Sequence, residues 1–74
     1  MNKNDLITAG SKTSGLSKND ASSAVEGVFD AITKALSNGD EVRLVGFGTF
    51  SVAKRKASNQ PKFKAGKGLK DSVN

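Results

Sequence analysis

Residues 39–52 read GDEVRLVGFGTFSV, and the change of period inside them decides the fold. From Asp40 onward, Val42 and Leu44 alternate with Glu41 and Arg43. After a glycine-bearing turn, Phe50 and Val52 alternate with Ser51 and Ala53. A period of two is the mark of a half-buried strand, so the stretch predicts an antiparallel β-hairpin. The predicted turn, residues 45–49, sets Phe47 between two glycines, which lets the backbone bend sharply while the ring is directed at something apolar.

Upstream, the period is that of a helix. Ala21, Ala24, Val25, Val28, Phe29, Ile32, Ala35 and Leu36 recur at three- and four-residue spacing. Ser17 and Asp20 form an acidic variant of the capping box, and Gly39 is the stop. An earlier helix is expected from Asn2 to Ser14, closed by Gly15, with Gly10 and Ser11 interrupting its apolar stripe. The short Gly15-Leu16 connection makes the two a helical hairpin. Downstream, Lys54-Arg55-Lys56 leads through residues 57–60 to a third short strand at 61–64, with Pro61 as the first residue of an edge strand. Leu69 and Val73, four apart, predict a terminal helix over residues 66–74. The expected class is α+β in one domain of residues 1–74: a helical part (1–39), a three-stranded antiparallel sheet (40–65) and a short C-terminal helix (66–74).

A 74-residue chain with 35% hydrophobic residues, no cysteine and no histidine lacks disulfides and the usual transition-metal ligands. Oligomerisation is the staple left for so small a core. The absence of His, Cys, Tyr and Trp also removes most groups that activate nucleophiles or shuttle protons near neutral pH, so no enzyme, catalytic residue, metal, cofactor or small-molecule substrate is expected. The glycine motifs agree. GFGTFS lacks the third glycine of GxGxxG, and Gly66-Lys67-Gly68 lacks the rest of a P-loop. No apolar run reaches membrane-span length, and the N-terminus lacks a secretory signal's apolar region, so a cytoplasmic protein with no membrane partner is expected.

Charge is segregated along the chain. Residues 1–41 carry a balance of −2, residues 42–74 a balance of +7 with Asp71 their single acid. Such a field suits a polyanion. If Phe50, Val52 and Phe63 face inward, pleating sends Ser51, Ala53, Arg55, Lys62 and Lys64 outward, onto a small, basic sheet face that two helices on the other side leave open. Lys54 and Lys56 fall on the inward parity but reach solvent at the rim. With the phenylalanines assigned to the core, no exposed aromatics interleave with the bases. Recognition is therefore expected through phosphate charge and shape rather than base stacking. Charge alone does not separate DNA from RNA.

MNKNDLI, LSKNDA, AITKALSNGDEVRLVGFGTFSV and FKAGKGLKDSVN together resemble the bacterial histone-like HU/IHF proteins over most of the chain. GDxVxLxGFGTF with FxxGKxLK is the specific part of the match. The resemblance implies an intertwined homodimer, with sheets forming a saddle over duplex DNA in the bacterial nucleoid and with Phe29, Phe47, Phe50 and Phe63 in the dimer core. It carries the phosphate contacts onto Lys3, Gly46, Arg55, Lys67 and Lys70; Lys54, Lys56, Lys62 and Lys64 come from the strand reading. About three contacts per subunit would give a slope of log K against log salt of about −5.

One departure concerns function. The family extends its second and third strands into a long arm with a tip proline that wedges between base pairs, whereas seven residues separate Arg55 from Phe63 here. The expectation is architectural, sequence-nonspecific duplex binding with reduced bending. The alternative is an arm-deleted dimeric scaffold of negligible DNA affinity.

Overall fold

The computed structural model describes residues 1–54, 56 and 58–74. Its elements run α1 (Lys3–Ser14), α2 (Lys18–Ser37), β1 (Val42–Leu44), β2 (Gly48–Lys54), β3 (Asn59–Ala65) and α3 (Lys67–Val73). They divide into two compact units, Met1–Ala31 and Ile32–Asn74.

In the first unit, α1 begins with a complete capping box. The Asn2 side chain accepts the Asp5 amide at 3.0 Å, and the Asp5 carboxylate accepts the Asn2 amide at 3.1 Å. Two of the four orphan donors of the helix start are thereby satisfied. Gly10 does not break the helix. Ser11, which interrupts the apolar stripe, donates its hydroxyl to the Leu16 carbonyl at 2.6 Å, while the Gly15 amide donates to the Ser11 carbonyl with Gly15 at φ 76°. The position thus fastens the connection to α2 instead of filling a core. Ser17 accepts the Asp20 amide at 3.1 Å, as its spacing predicts. Ile7 of α1 and Ala21 of α2 are buried.

The second unit opens with the end of α2, where Gly39 is left-handed at φ 80°. The Asp40 amide donates back to the Ala35 carbonyl and the Gly39 amide to Leu36, the two bonds of a Schellman cap. Asp40 and Glu41 precede β1 instead of entering it. The sheet has the order β1-β2-β3, antiparallel throughout, with Val42 opposite Phe50 and Phe50 opposite Phe63.

Two expectations about the strands need correction. The turn occupies residues 45–47, so Gly48 and Thr49 belong to β2. β3 starts at Asn59, making Pro61 its third residue, because Asn59 and Gln60 pair with Lys54 and Ala53. Pro61 is tolerated there because β3 is an edge strand.

Two glycines of the motif have separate reasons, close approach at Gly48 and a left-handed backbone at Gly46. A Cβ on Gly48 would lie 2.4 Å from the Phe63 ring and 2.6 Å from the Lys64 carbonyl oxygen. Gly46, at φ 81°, turns the chain so that its carbonyl accepts the Leu69 amide at 3.1 Å, and the Phe47 carbonyl accepts the Gly66 amide at 2.7 Å. These bonds fix α3 against the β1–β2 turn. GFG and GKG are therefore two halves of one joint.

Candidate nucleic-acid interface

Cross-strand partners in an antiparallel sheet project to the same side. The register therefore sorts the second unit into two faces. On one, Phe50 faces Phe63 with ring centroids 4.8 Å apart at 50°, and Phe47 meets Phe63 at 5.7 Å and 58°. On the other, Ser51 is opposite Lys62, Thr49 opposite Lys64, and Ala53 opposite Gln60. Lys62 and Lys64 are exposed, while Thr49, Ser51 and Ala53 are half-buried and short. The basic face expected from pleating is thus present, with a floor low enough to admit a broad ligand.

Arg43 belongs to this face as well. It is opposite Thr49, so Arg43, Thr49 and Lys64 form a row across all three strands. The sequence reading placed Arg43 on the strand but did not carry its parity across to the basic set. The alternation of Arg43 with Val42 and Leu44 was the signal available. No carboxylate forms an ion pair with Arg43, Lys62 or Lys64 among the described residues.

The remaining cations fall into three other places. Lys67 and Lys70 lie on α3, which the Leu69 and Gly66 amide bonds hold beside the β1–β2 turn that carries Gly46. Lys67 pairs with Asp71 at 3.0 Å, an exposed i,i+4 contact of small energetic weight. Lys54 ends β2 with opposite parity to Ser51 and is exposed, as is Lys56. Arg55 lies outside the described residues. Lys3 is in the first unit, where it is ion-paired with Glu26, both side chains about half exposed. Its expected phosphate contact therefore has an internal competitor that the sequence did not reveal.

The residues expected in a dimer core are incompletely covered within one chain. Phe29, Phe47 and Phe63 remain 43%, 48% and 43% exposed, and Phe50 is half-buried. Leu6, Ala24, Val25, Val28 and Phe29 line a wholly apolar cleft in the first unit. Among the described residues, Ile7 and Ala21 are the buried apolar ones, too few to hold a domain together. Among the described residues no cluster of His, Cys, Asp or Glu could hold a metal ion, and no helix is long and apolar enough to cross a membrane.

Residues 1–60 match the family model described as bacterial DNA-binding protein. The chain is 52% identical to DNA-binding protein HRm of Rhizobium meliloti, an alignment of 90 positions that covers all of both proteins. The alignment is longer than the 74 residues of this chain, so part of it has no counterpart here. In structure, it is similar to an HU variant from Thermotoga maritima, with a TM-score of 0.92, 42% identity and full coverage of both chains. It is also similar to HU from Anabaena in a cocrystal with DNA, with a TM-score of 0.90, 29% identity, and 99% of this chain and 97% of that one covered. The fold, the glycine joint and these matches together establish that the chain belongs to the bacterial DNA-binding protein family that includes HU.

Proposed function

We propose that this protein is a homodimeric architectural DNA-binding protein of the nucleoid, seating duplex DNA on the basic sheet face through its phosphate backbone with little reading of sequence. The observation that carries this is the exposed set Arg43, Lys62 and Lys64 on one face of the sheet, none of them neutralised by an acid among the described residues. The Rhizobium relative is named as DNA-binding and the Anabaena neighbour was crystallised with DNA, which supports the same ligand. The protein is not an enzyme.

Phe29, Phe47, Phe50 and Phe63 supply the core shared by the two copies. In this reading Lys3, Gly46, Lys54, Arg55, Lys56, Lys67 and Lys70 are further phosphate contacts. A single-domain reading of residues 1–74 follows, with residues 1–39 serving dimerisation and 40–65 the saddle. Lys54 pairs with Asn59, leaving residues 55–58 alone between β2 and β3. A hairpin closed so early has no long arm and no apolar wedge to recover the unstacking cost of a kink, so the dimer bends DNA weakly.

Salt-titrated anisotropy with a 20-bp duplex tests the reading. It predicts a log K against log salt slope of about −5 or steeper. Binding that ignores salt would overturn it. End-to-end energy transfer on the same duplex, labelled at both ends, checks the bending, with little change expected on saturation. A duplex RNA competitor of equal length separates the two nucleic acids, and DNA is expected to be preferred.

A further inference from the structure

The stop of α2 sets a side-chain amide beside a glycine nitrogen. Asn38 and Gly39 follow Ser37, the last residue of the helix, and both are exposed. The amide carbon of an asparagine is open to attack by the main-chain nitrogen of the next residue when no side chain there crowds the approach, and glycine crowds it least. Nothing lies within 4 Å of a Cβ built on Gly39, so the surroundings leave the approach clear as well. Among the described residues no hydrogen bond holds the Asn38 side chain. The other asparagines are placed differently. Asn2 caps α1, Asn4 and Asn19 lie inside helices before aspartates, and Asn59 is on the β3 ladder before Gln60.

The same glycine nitrogen is fastened by the helix end. Its N–H donates to the Leu36 carbonyl at 3.0 Å, the Asp40 amide donates to Ala35 at 2.9 Å, and the Asn38 amide is shared between the Lys34 and Ala35 carbonyls at 3.1 Å. While its proton is in that bond, the Gly39 nitrogen can neither lose it nor turn toward Asn38. Attack must wait for the last turn to open, and helix ends are where opening costs least.

We propose that Asn38–Gly39 is a self-modifying junction latched by the α2 cap: when the cap opens, the Gly39 nitrogen attacks Asn38 Cγ and the side-chain amide leaves as ammonia. The bond from nitrogen to Cγ forms as the Cγ–NH2 bond breaks, the Gly39 proton passing to solvent and the departing amide taking one up. Water, the one co-reactant, then opens the cyclic imide. Opening at Cγ gives aspartate. Opening at the main-chain carbonyl gives isoaspartate, which routes the backbone through the side chain and lengthens it by one carbon.

The product holds the latch open. A carboxylate at position 38 joins Asp40 and Glu41 at the negative end of the α2 dipole. Lys34, one turn back, offsets part of this, in the less favourable order for an i,i+4 pair. In the isoaspartate form the added carbon also shifts Gly39 and Asp40 out of step with the Leu36 and Ala35 carbonyls. The junction between α2 and β1 is thereby loosened irreversibly.

Peptide mass spectrometry of the full chain, stored in mildly alkaline buffer and sampled over days, tests the junction. The tryptic peptide of residues 35–43 should gain the amide-to-acid mass difference, with isoaspartate detected by isoaspartyl methyltransferase labelling, while the peptides carrying Asn4, Asn19 and Asn59 stay unchanged. In unfolding urea at the same pH, conversion at Asn38 should run about tenfold faster, the protection lost with a short hydrogen-bonded end. Asn38→Ser should abolish the labelled product. Asn38→Asp, a copy of the aspartate product, should melt about 2–4 °C below the parent at low salt and equal protein concentration. An Asn38 that stays intact in both buffers, or that converts no faster than Asn4, Asn19 or Asn59 in the folded protein, would overturn the site. Equal rates with and without urea would overturn the latch. An Asn38→Asp melt equal to the parent's would overturn the claim that the new charge keeps it open.

Discussion

A Cβ on Gly68 would stand 2.5 Å from the carbonyl oxygen of Gly46, the same oxygen that accepts the Leu69 amide. The first turn of α3 therefore lies directly on the β1–β2 turn with no room for any side chain. Gly68→Ala must push the two apart. It should cost about 1–3 kcal/mol in urea unfolding, as overpacking does. Duplex affinity should fall with it, because Lys67 and Lys70 travel with α3. Unchanged stability would show that the joint yields freely.

Gly48 and Gly10 are expected to respond in opposite directions to the same substitution. At Gly48 the added methyl meets the Phe63 ring and the Lys64 carbonyl, so Gly48→Ala should destabilise by about 2 kcal/mol or more. Around Gly10, inside α1, nothing lies within 4 Å, so Gly10→Ala should stabilise by about 0.5–1 kcal/mol. Thermal melts of the two variants beside the parent protein check the sign of each.

Glu26 is ion-paired with Lys3, the lysine proposed to reach a phosphate from α1. Freeing that lysine with Glu26→Gln should tighten duplex binding about two- to threefold at low salt, in keeping with the small energy of exposed ion pairs. The advantage should vanish as screening grows. Equal affinity of variant and parent at the lowest salt would mean that Lys3 makes no phosphate contact.

Leu6, Val28, Phe29, Phe47 and Phe63 are each more than 40% exposed in the single chain. If a second copy covers them, unfolding is coupled to dissociation, and the melting temperature should climb with protein concentration. Scanning calorimetry over a hundredfold range of concentration measures this. A concentration-independent melt would mean a self-sufficient monomer.

Much of this architecture is readable because its signals are local. The apolar spacing of α2, the Gly15 and Gly39 stops and the alternation around Val42 and Phe50 each depend on neighbours within a few residues. What was missed depends on residues far apart in the chain or on polar detail. β3 begins at Asn59 because Ala53 and Lys54 offer partners to Gln60 and Asn59, a pairing that outweighs the weak strand propensity of Asn. The alternation with Val42 and Leu44 gives Arg43 its outward parity, but that it stands in one row with Thr49 and Lys64 follows only from the register. The Lys3–Glu26 pair requires two helices to meet, and the Asn2–Asp5 box was hidden because Asn-x-x-Asp departs from the commoner Ser/Thr-x-x-Glu pattern.

The paired ends of Lys54 and Asn59 also bear on how such a protein changes over generations. Lengthening a flexible connection costs only about 0.6 kcal/mol for each doubling, and here the insertion point sits beyond the last ladder rung, away from the glycine joint and the phenylalanine cluster. Reach around the double helix is thus a nearly free variable, open to tuning by insertion or deletion while the body stays as it is.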